Sequence, residues 1–233
     1  MNHRHSEPLA GRIEPFAARA VPDLADDLFL VAHDRADHSP SLAPRVLGLG
    51  LAGALLAELV VDQRLGVEAG QLWVTDSAPP PEVLRRQVLA ELLADPDERE
   101  VRTWLEYLAR REPEEASQRV AVAQRLTRLG ILAPQVHRGW VRRSVRYVPV
   151  DARADWPVVR LRYQATQRTA PPFQDLLLVA LVGATGLTRR IFAGHHQSPA
   201  EYVEWCTRGL PPPLRALVGE VAAAAARAVT IPT

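Results

Sequence analysis

Residues 46–65, VLGLGLAGALLAELVVDQRL, are apolar on nearly every side for about five helical turns. Leucine falls at 47, 49, 51, 55, 56 and 59, too crowded for strand alternation and too wide for a single amphipathic stripe. The stretch therefore predicts a helix buried all round, with the rest of the chain wrapped about it. Glu58 interrupts the run and Asp62, Gln63 and Arg64 close it, which leaves it short of the roughly 18 apolar residues that a bilayer crossing needs. Gly48, Gly50 and Gly53 satisfy G-x-G-x-x-G, but a dinucleotide-binding turn needs a hydrophobic strand just before its first glycine. Ser41, Pro44 and Arg45 stand there instead. The small residues at 48, 50, 52, 53, 54 and 57 are read as points where neighbouring helices come close.

The 233 residues are 47% hydrophobic and 24% charged, which suits one substantial core or two small ones. A net charge of +1 argues against a dedicated nucleic-acid coat. Every basic side chain is arginine; together with the alanine and proline content, this is read as the mark of a GC-rich genome rather than of a function. Cys206 is the only cysteine, so neither an internal disulfide nor a cysteine-built metal site is expected, and the expected location is cytoplasmic. The first residues, MNHRHSEPLAGRIEP, lack the apolar core of a signal peptide. Residues 1–20 are expected to form a flexible tail, and residues 21–233 a single mainly α domain: a buried central helix pair surrounded by amphipathic helices and a few β-hairpins.

Outward from the central helix, DLADDLFLVAHD after Pro22 predicts a short amphipathic helix with Leu24, Leu28 and Val31 on one face. Residues 65–67 and 71–74 predict a hairpin with Trp73 on its packed side. A helix follows the prolines at 79–81, with Val83, Val88, Leu89, Leu92 and Leu93 as its apolar positions. The next covers 98–110, with Val101, Trp104, Leu105 and Leu108 inward. Another runs from Pro113 to Leu129 and stops at Gly130. A helix from 156 to 164 precedes FQDLLLVALVGATGL, the expected partner of the central helix. Ser198 is placed as N-cap of PAEYVEWCTRG, and a last alanine-rich helix reaches Val229.

The most unusual local composition is ILAPQVHRGWVRRSVRYVPV, residues 131–150, read as a hairpin or extended excursion with a cationic, aromatic tip. Arg138, Arg142, Arg143 and Arg146 have no acidic neighbour within it, and Trp140 lies among them. Guanidinium groups pair phosphates bidentately and an indole sits at a lipid headgroup boundary, so the stretch suits an anionic surface. It equally suits a solvated hairpin whose tryptophan packs back on the body. No G-x-S-x-G, P-loop or H-E-x-x-H occurs, and no catalytic residue is assigned. His195–His196 and the His3, His5 pair lack spaced carboxylates, so no metal and no cofactor is expected. Glu58 is read as a hydrogen-bonded core carboxylate and Cys206 as a packed thiol.

The order of these features resembles the bacterial members of the Golgi phosphoprotein 3 family: DLADDLFLVAHD, GLAGALLAELVVDQRL with a hairpin after it, QRLTRLGIL leading into the arginine-rich hairpin, then DLLLVALVGATGL, over about residues 21–230. The resemblance implies the helical domain described above and a non-enzymatic peripheral membrane protein. Eukaryotic relatives bind phosphatidylinositol 4-phosphate, and a hairpin in the family mediates self-association. Of the four headgroup positions it implies, three are alanine here, Ala43, Ala52 and Ala116, and one keeps its arginine, Arg119. Arg45 lies close enough in sequence to serve near Ala43.

Three readings follow. In the first the chain binds anionic headgroups through Arg119, Arg45, Arg142 and Arg143, with Arg138, Trp140 and Arg146 completing a membrane or self-association hairpin, and is peripherally membrane-associated. In the second it is a cytoplasmic adaptor that binds a protein partner and self-associates as a homo-oligomer through residues 131–150. In the third, helix 98–110, helix 113–129 and the hairpin imitate a winged helix-turn-helix, but Glu114 and Glu115 stand where phosphates would be met, so no nucleic acid is expected as partner.

Overall fold

A computed structural model describes residues 23–34, 39–110, 117–138, 143–167, 171–194 and 198–230. The expected tail, the histidines at 3, 5, 195 and 196, and Glu114, Glu115 and Ala116 lie outside the described residues, as do Trp140 and Arg142 at the hairpin tip. The described chain is mainly α with two small antiparallel strand pairs. In order it runs α1 (Leu24–Val31), α2 (Pro44–Val61), β1 (Leu65–Glu68), β2 (Gln71–Val74), α3 (Val83–Ala94), α4 (Val101–Ala109) and α5 (Gln118–Arg128). Then come β3 (Leu132–Arg138), β4 (Arg143–Pro149), a 3-10 turn (Ala152–Asp155), α6 (Trp156–Gln167), α7 (Phe173–Ala184), α8 (Thr188–Phe192), α9 (Pro199–Arg208) and α10 (Pro212–Thr230).

α2 is the axis of the fold: Val46 to Leu59 is buried without a break. It starts at Pro44, where the fixed φ of proline suits a first helical turn, and so reaches 18 residues, more than the sequence reading allowed. By length and composition it could cross a bilayer, but other helices surround it, and it is a core helix. Its three glycines face three different neighbours. A Cβ on Gly48 would lie 3.0 Å from the Ala109 carbonyl at the end of α4. One on Gly50 would lie 2.8 Å from Thr185 Cγ2 after α7, and one on Gly53 2.4 Å from Val221 Cγ2 on α10. The G-x-G-x-x-G spacing thus serves helix packing, since strips without side chains let backbones approach.

Four sequence expectations need correction. α2 packs most extensively on α10, not on α7; α7 lies chiefly against α9 and α10. The alanine-rich α10 presents a low surface that a glycine-rich helix can meet closely. α1 is not half exposed: all its residues except Leu30 are buried, Asp26 and Asp27 included. Trp73 is not on the packed side of the first hairpin, where Leu65, Val67 and Leu72 are buried; it is 41% exposed and covers Gly66, its cross-strand partner. In α3, Val83 and Leu93 are exposed while Leu84 joins Val88, Leu89 and Leu92 in the core.

The second hairpin pairs Leu132 with Pro149 through Arg138 with Arg143. It follows Gly130, which ends α5 at a φ of +68°. Ser198 does precede α9, but its side chain makes no capping bond.

Candidate functional site

The arginines singled out in the sequence fall into two places. Arg45 lies in the first turn of α2, whose N-cap position is Ala43, and its guanidinium is 3.9 Å from Glu106 of α4. Glu106 also holds Arg110 at 3.0 Å, so one carboxylate is shared by two cations. Arg119 lies half-buried in the first turn of α5, a helix that packs on α2. Ala52, by contrast, is wholly buried, so that position presents nothing to a ligand.

The hairpin leaves from the other end of α5. That helix is about 16 Å long by its 11 residues, so Arg119 and the hairpin do not form one site. One hairpin face begins in the core and ends outside it. Leu132 is buried, Tyr147 lines a cleft with Phe29, Leu30 and His33, and the next pair outward, Val136 and Val145, is 59% and 51% exposed. Side chains two apart along each strand share a face, so this is one apolar ladder running into solvent. On the opposite face Arg146, also exposed, pairs with Gln135. The last described rung is Arg138 opposite Arg143, two residues beyond Val136 and Val145 along each strand.

The sequence reading missed a buried charge network built around α1. Arg125 of α5 donates to Asp26 Oδ1 at 2.9 Å, and its guanidinium lies 3.0 Å from Glu82 and 3.5 Å from Asp23. Arg85 of α3 lies 2.7 Å from Asp62, 3.7 Å from Asp23 and 3.8 Å from Glu58. On the far side of α1, Arg160 donates to Asp27 at 2.7 Å and to Asp175 of α7 at 2.8 Å. α1 is thereby tied to α2, α3, α5, α6 and α7. The one available sequence signal was the density of aspartate at 23, 26 and 27, which reads as a solvated face until the helix is known to be buried.

The first of these clusters holds five carboxylates against two guanidiniums, and protons accommodate part of the excess. Burial pushes the Glu58 carboxyl up to about 8, although the Ala25 N–H donates to it at 3.0 Å. Burial likewise pushes Asp26 up to about 7 against the pull of Arg125, and raises Asp23. Burial also works on Glu82, but there the N–H donors of Arg85 and Leu84, with Arg125, outweigh it and hold that carboxyl low. These groups are joined into a scaffold. Glu58 is the hydrogen-bonded core carboxylate expected from sequence, and Cys206 is a packed thiol whose burial pushes it up to about 11.

A stability profile follows. The folded chain keeps the Glu58 proton to about pH 8, whereas the unfolded chain releases it near 4.5. The folded state therefore binds more protons across that window, and the stability present below it erodes as pH rises through 8. Glu58→Gln keeps the acceptor for Ala25 and has no proton to lose. Its melting temperature should exceed that of the unmodified chain by several degrees at pH 8.5 and approach it at pH 5, leaving the shallower slope due to Asp23, Asp26 and Asp27, which burial also raises. Parallel melting curves for the two proteins across this range would refute the assignment.

Against known proteins, a family model described as Golgi phosphoprotein 3 (GPP34) matches residues 24–229. No curated protein matches the chain.

Proposed function

The chain belongs to the Golgi phosphoprotein 3 family, and from that premise we propose that it is a non-enzymatic peripheral membrane protein that docks on anionic lipid through its second hairpin. The observation that carries the reading is the exposed Val136–Val145 rung, set between the core and the arginine-rich tip on a strand pair that leaves the body of the fold. Apolar side chains next to arginines and a tryptophan are the composition of an interfacial element: the aliphatic groups and indole enter the headgroup boundary while the guanidiniums pair phosphates. Selection of phosphatidylinositol 4-phosphate is not part of the proposal. Of the four positions that would carry it, Ala43 bears no indole, Ala52 and Ala116 bear no guanidinium, and only Arg119 keeps its arginine; Arg45, which could serve near Ala43, is engaged by Glu106.

Co-sedimentation with phosphatidylserine-containing vesicles tests this. Basic residues near such a surface contribute about 1 kcal/mol each, so Arg142→Glu with Arg143→Glu should weaken binding by roughly 30-fold or more at low salt. Equal binding to acidic and neutral vesicles would reject the proposal, and preference for phosphatidylinositol 4-phosphate that survives high salt would reject its charge-only form. The hairpin also has two unpaired edges, which favours self-association as a second reading. That reading predicts a change of mass in solution, without loss of vesicle binding, for Trp140→Ala with Arg143→Glu.

A further inference from the structure

The buried side of α6, Pro157, Val158, Leu161 and Ala165, faces the core, and the opposite side should be polar in a solvated helix. Instead Trp156, Val159 and Tyr163 stand there, 62%, 50% and 64% exposed. Their spacing of three and four residues sets them in one stripe along the helix. Leu129 and Val150, 52% and 60% exposed, lie by the turn before Trp156: the Leu129 carbonyl accepts from Arg153 at 3.2 Å, and Val150 leads into that turn. The charges around the stripe are engaged within the chain. Arg153 is paired with Asp151, Arg160 is held by Asp27 and Asp175, and Arg162 donates to the Ile191 and Arg190 carbonyls. Asp155 stands beside Trp156, so neither sign is in clear excess, and a phosphate surface or a strongly charged partner finds nothing here to complement.

We infer that the outward face of α6 pairs with the same face of a second copy of the chain, in a two-fold contact whose axis passes near Val159. A like-to-like contact brings each charge towards its own kind, so it suits a face whose charges are already held within the chain. Arg160, the cation nearest the axis, has two carboxylates of its own and meets its copy without an unmatched charge. The stripe is also self-complementary in length. Val159 lies about midway between Trp156 and Tyr163, so a helix laid antiparallel on its copy sets each Trp156 against the opposite Tyr163, with the valines between them. The five side chains expose on the order of 500 Å² per copy, most of the roughly 800 Å² that each partner of a standard interface buries. The pairing goes beyond the docking proposed above and holds whether or not the hairpin binds lipid. Two hairpins in one assembly would strengthen any such attachment through effective concentration.

The test is sedimentation equilibrium of the full chain. The mass should rise from one chain to two with a dissociation constant on the order of 10 μM, the scale of a contact somewhat below standard size. Val159→Glu sets like charges against each other at the axis and should weaken the pair by about a hundredfold. Trp156→Ala with Tyr163→Ala should weaken it by about tenfold or more. All three side chains are exposed, so the fold is retained, and circular dichroism verifies it. Trp140→Ala with Arg143→Glu, in the hairpin, should leave the pair intact. A Val159→Cys chain should join to its own copy through a short bis-maleimide, and a Gln87→Cys chain, altered on the exposed side of α3, should not; Cys206 is wholly buried and does not compete. A mass of one chain at every concentration would overturn the inference. So would a pair that survives Val159→Glu at full strength or fails to join at Val159→Cys. A pair lost only in the hairpin variant would return the contact to the hairpin and overturn it as well.

Discussion

Arg125→Met should lower the stability of the chain by about 3–5 kcal/mol and its melting temperature by roughly 10 °C. Methionine fills most of the arginine's volume, so the loss is one of charge. Asp26 forfeits its 2.9 Å donor, Glu82 its cation at 3.0 Å, and Asp23 keeps only Arg85 at 3.7 Å. A carboxylate buried without a partner costs far more than an exposed one. Because these groups can take up protons, the penalty should shrink as pH falls from 8 to 5, where a packing defect would show no such trend. Asp26→Asn combined with Arg125→Met should recover part of the loss, since it removes one of the stranded charges. Urea titration of the three proteins at both pH values reads this out. A pH-independent loss, or a double variant as weak as the sum of its parts, would show that Arg125 acts through its volume.

The same network shows where the sequence is silent. The helices, both hairpins and the all-round burial of α2 follow from apolar period and punctuation, which are local properties. The pairing of Asp26 with Arg125 spans 99 residues, and that of Asp27 with Arg160 spans 133. Nothing local distinguishes such pairs from solvated charge. The spacing of Leu24, Leu28 and Val31 predicts an amphipathic α1 with one wet face; its burial depends on arginines supplied by α5 and α6. Trp73 differs for another reason: strict alternation over residues 71–74 sets Leu72 on one face and Trp73 on the other, and the core takes the Leu72 face. The sequence joins Arg45 and Arg119 with the hairpin arginines in one binding set, whereas α5 stands between Arg119 and the hairpin. That separation is a consequence of helix length and topology, and it is why the proposed docking surface rests on the hairpin rather than on a single pocket.

Gly53→Val should destabilise the fold by about 3 kcal/mol or more, against the gain of roughly half a kcal/mol or more that replacing a glycine inside a helix otherwise brings. The Cβ alone would come within 2.4 Å of Val221 Cγ2, and Val221 is wholly buried with a χ1 that helical backbone restricts. Neither side chain can rotate away, so α2 and α10 must separate at their closest point, loosening the largest helix–helix contact of the fold. Gly53→Ala should show a milder form of the same clash. Joined to Val221→Ala, which removes the opposing methyl groups, it moves volume across the interface rather than adding it, and the double variant should be more stable than the sum of the single losses. Gly219→Ala provides the contrast: nothing lies within 4 Å of the Cβ it adds to α10, so it should stabilise by about half a kcal/mol or more. Thermal unfolding of the four alanine variants decides the point. Additive effects at 53 and 221, or a Gly53→Ala change as favourable as Gly219→Ala, would mean that α2 and α10 yield without cost. The GLGLAG spacing would then reflect something other than the approach of neighbouring helices.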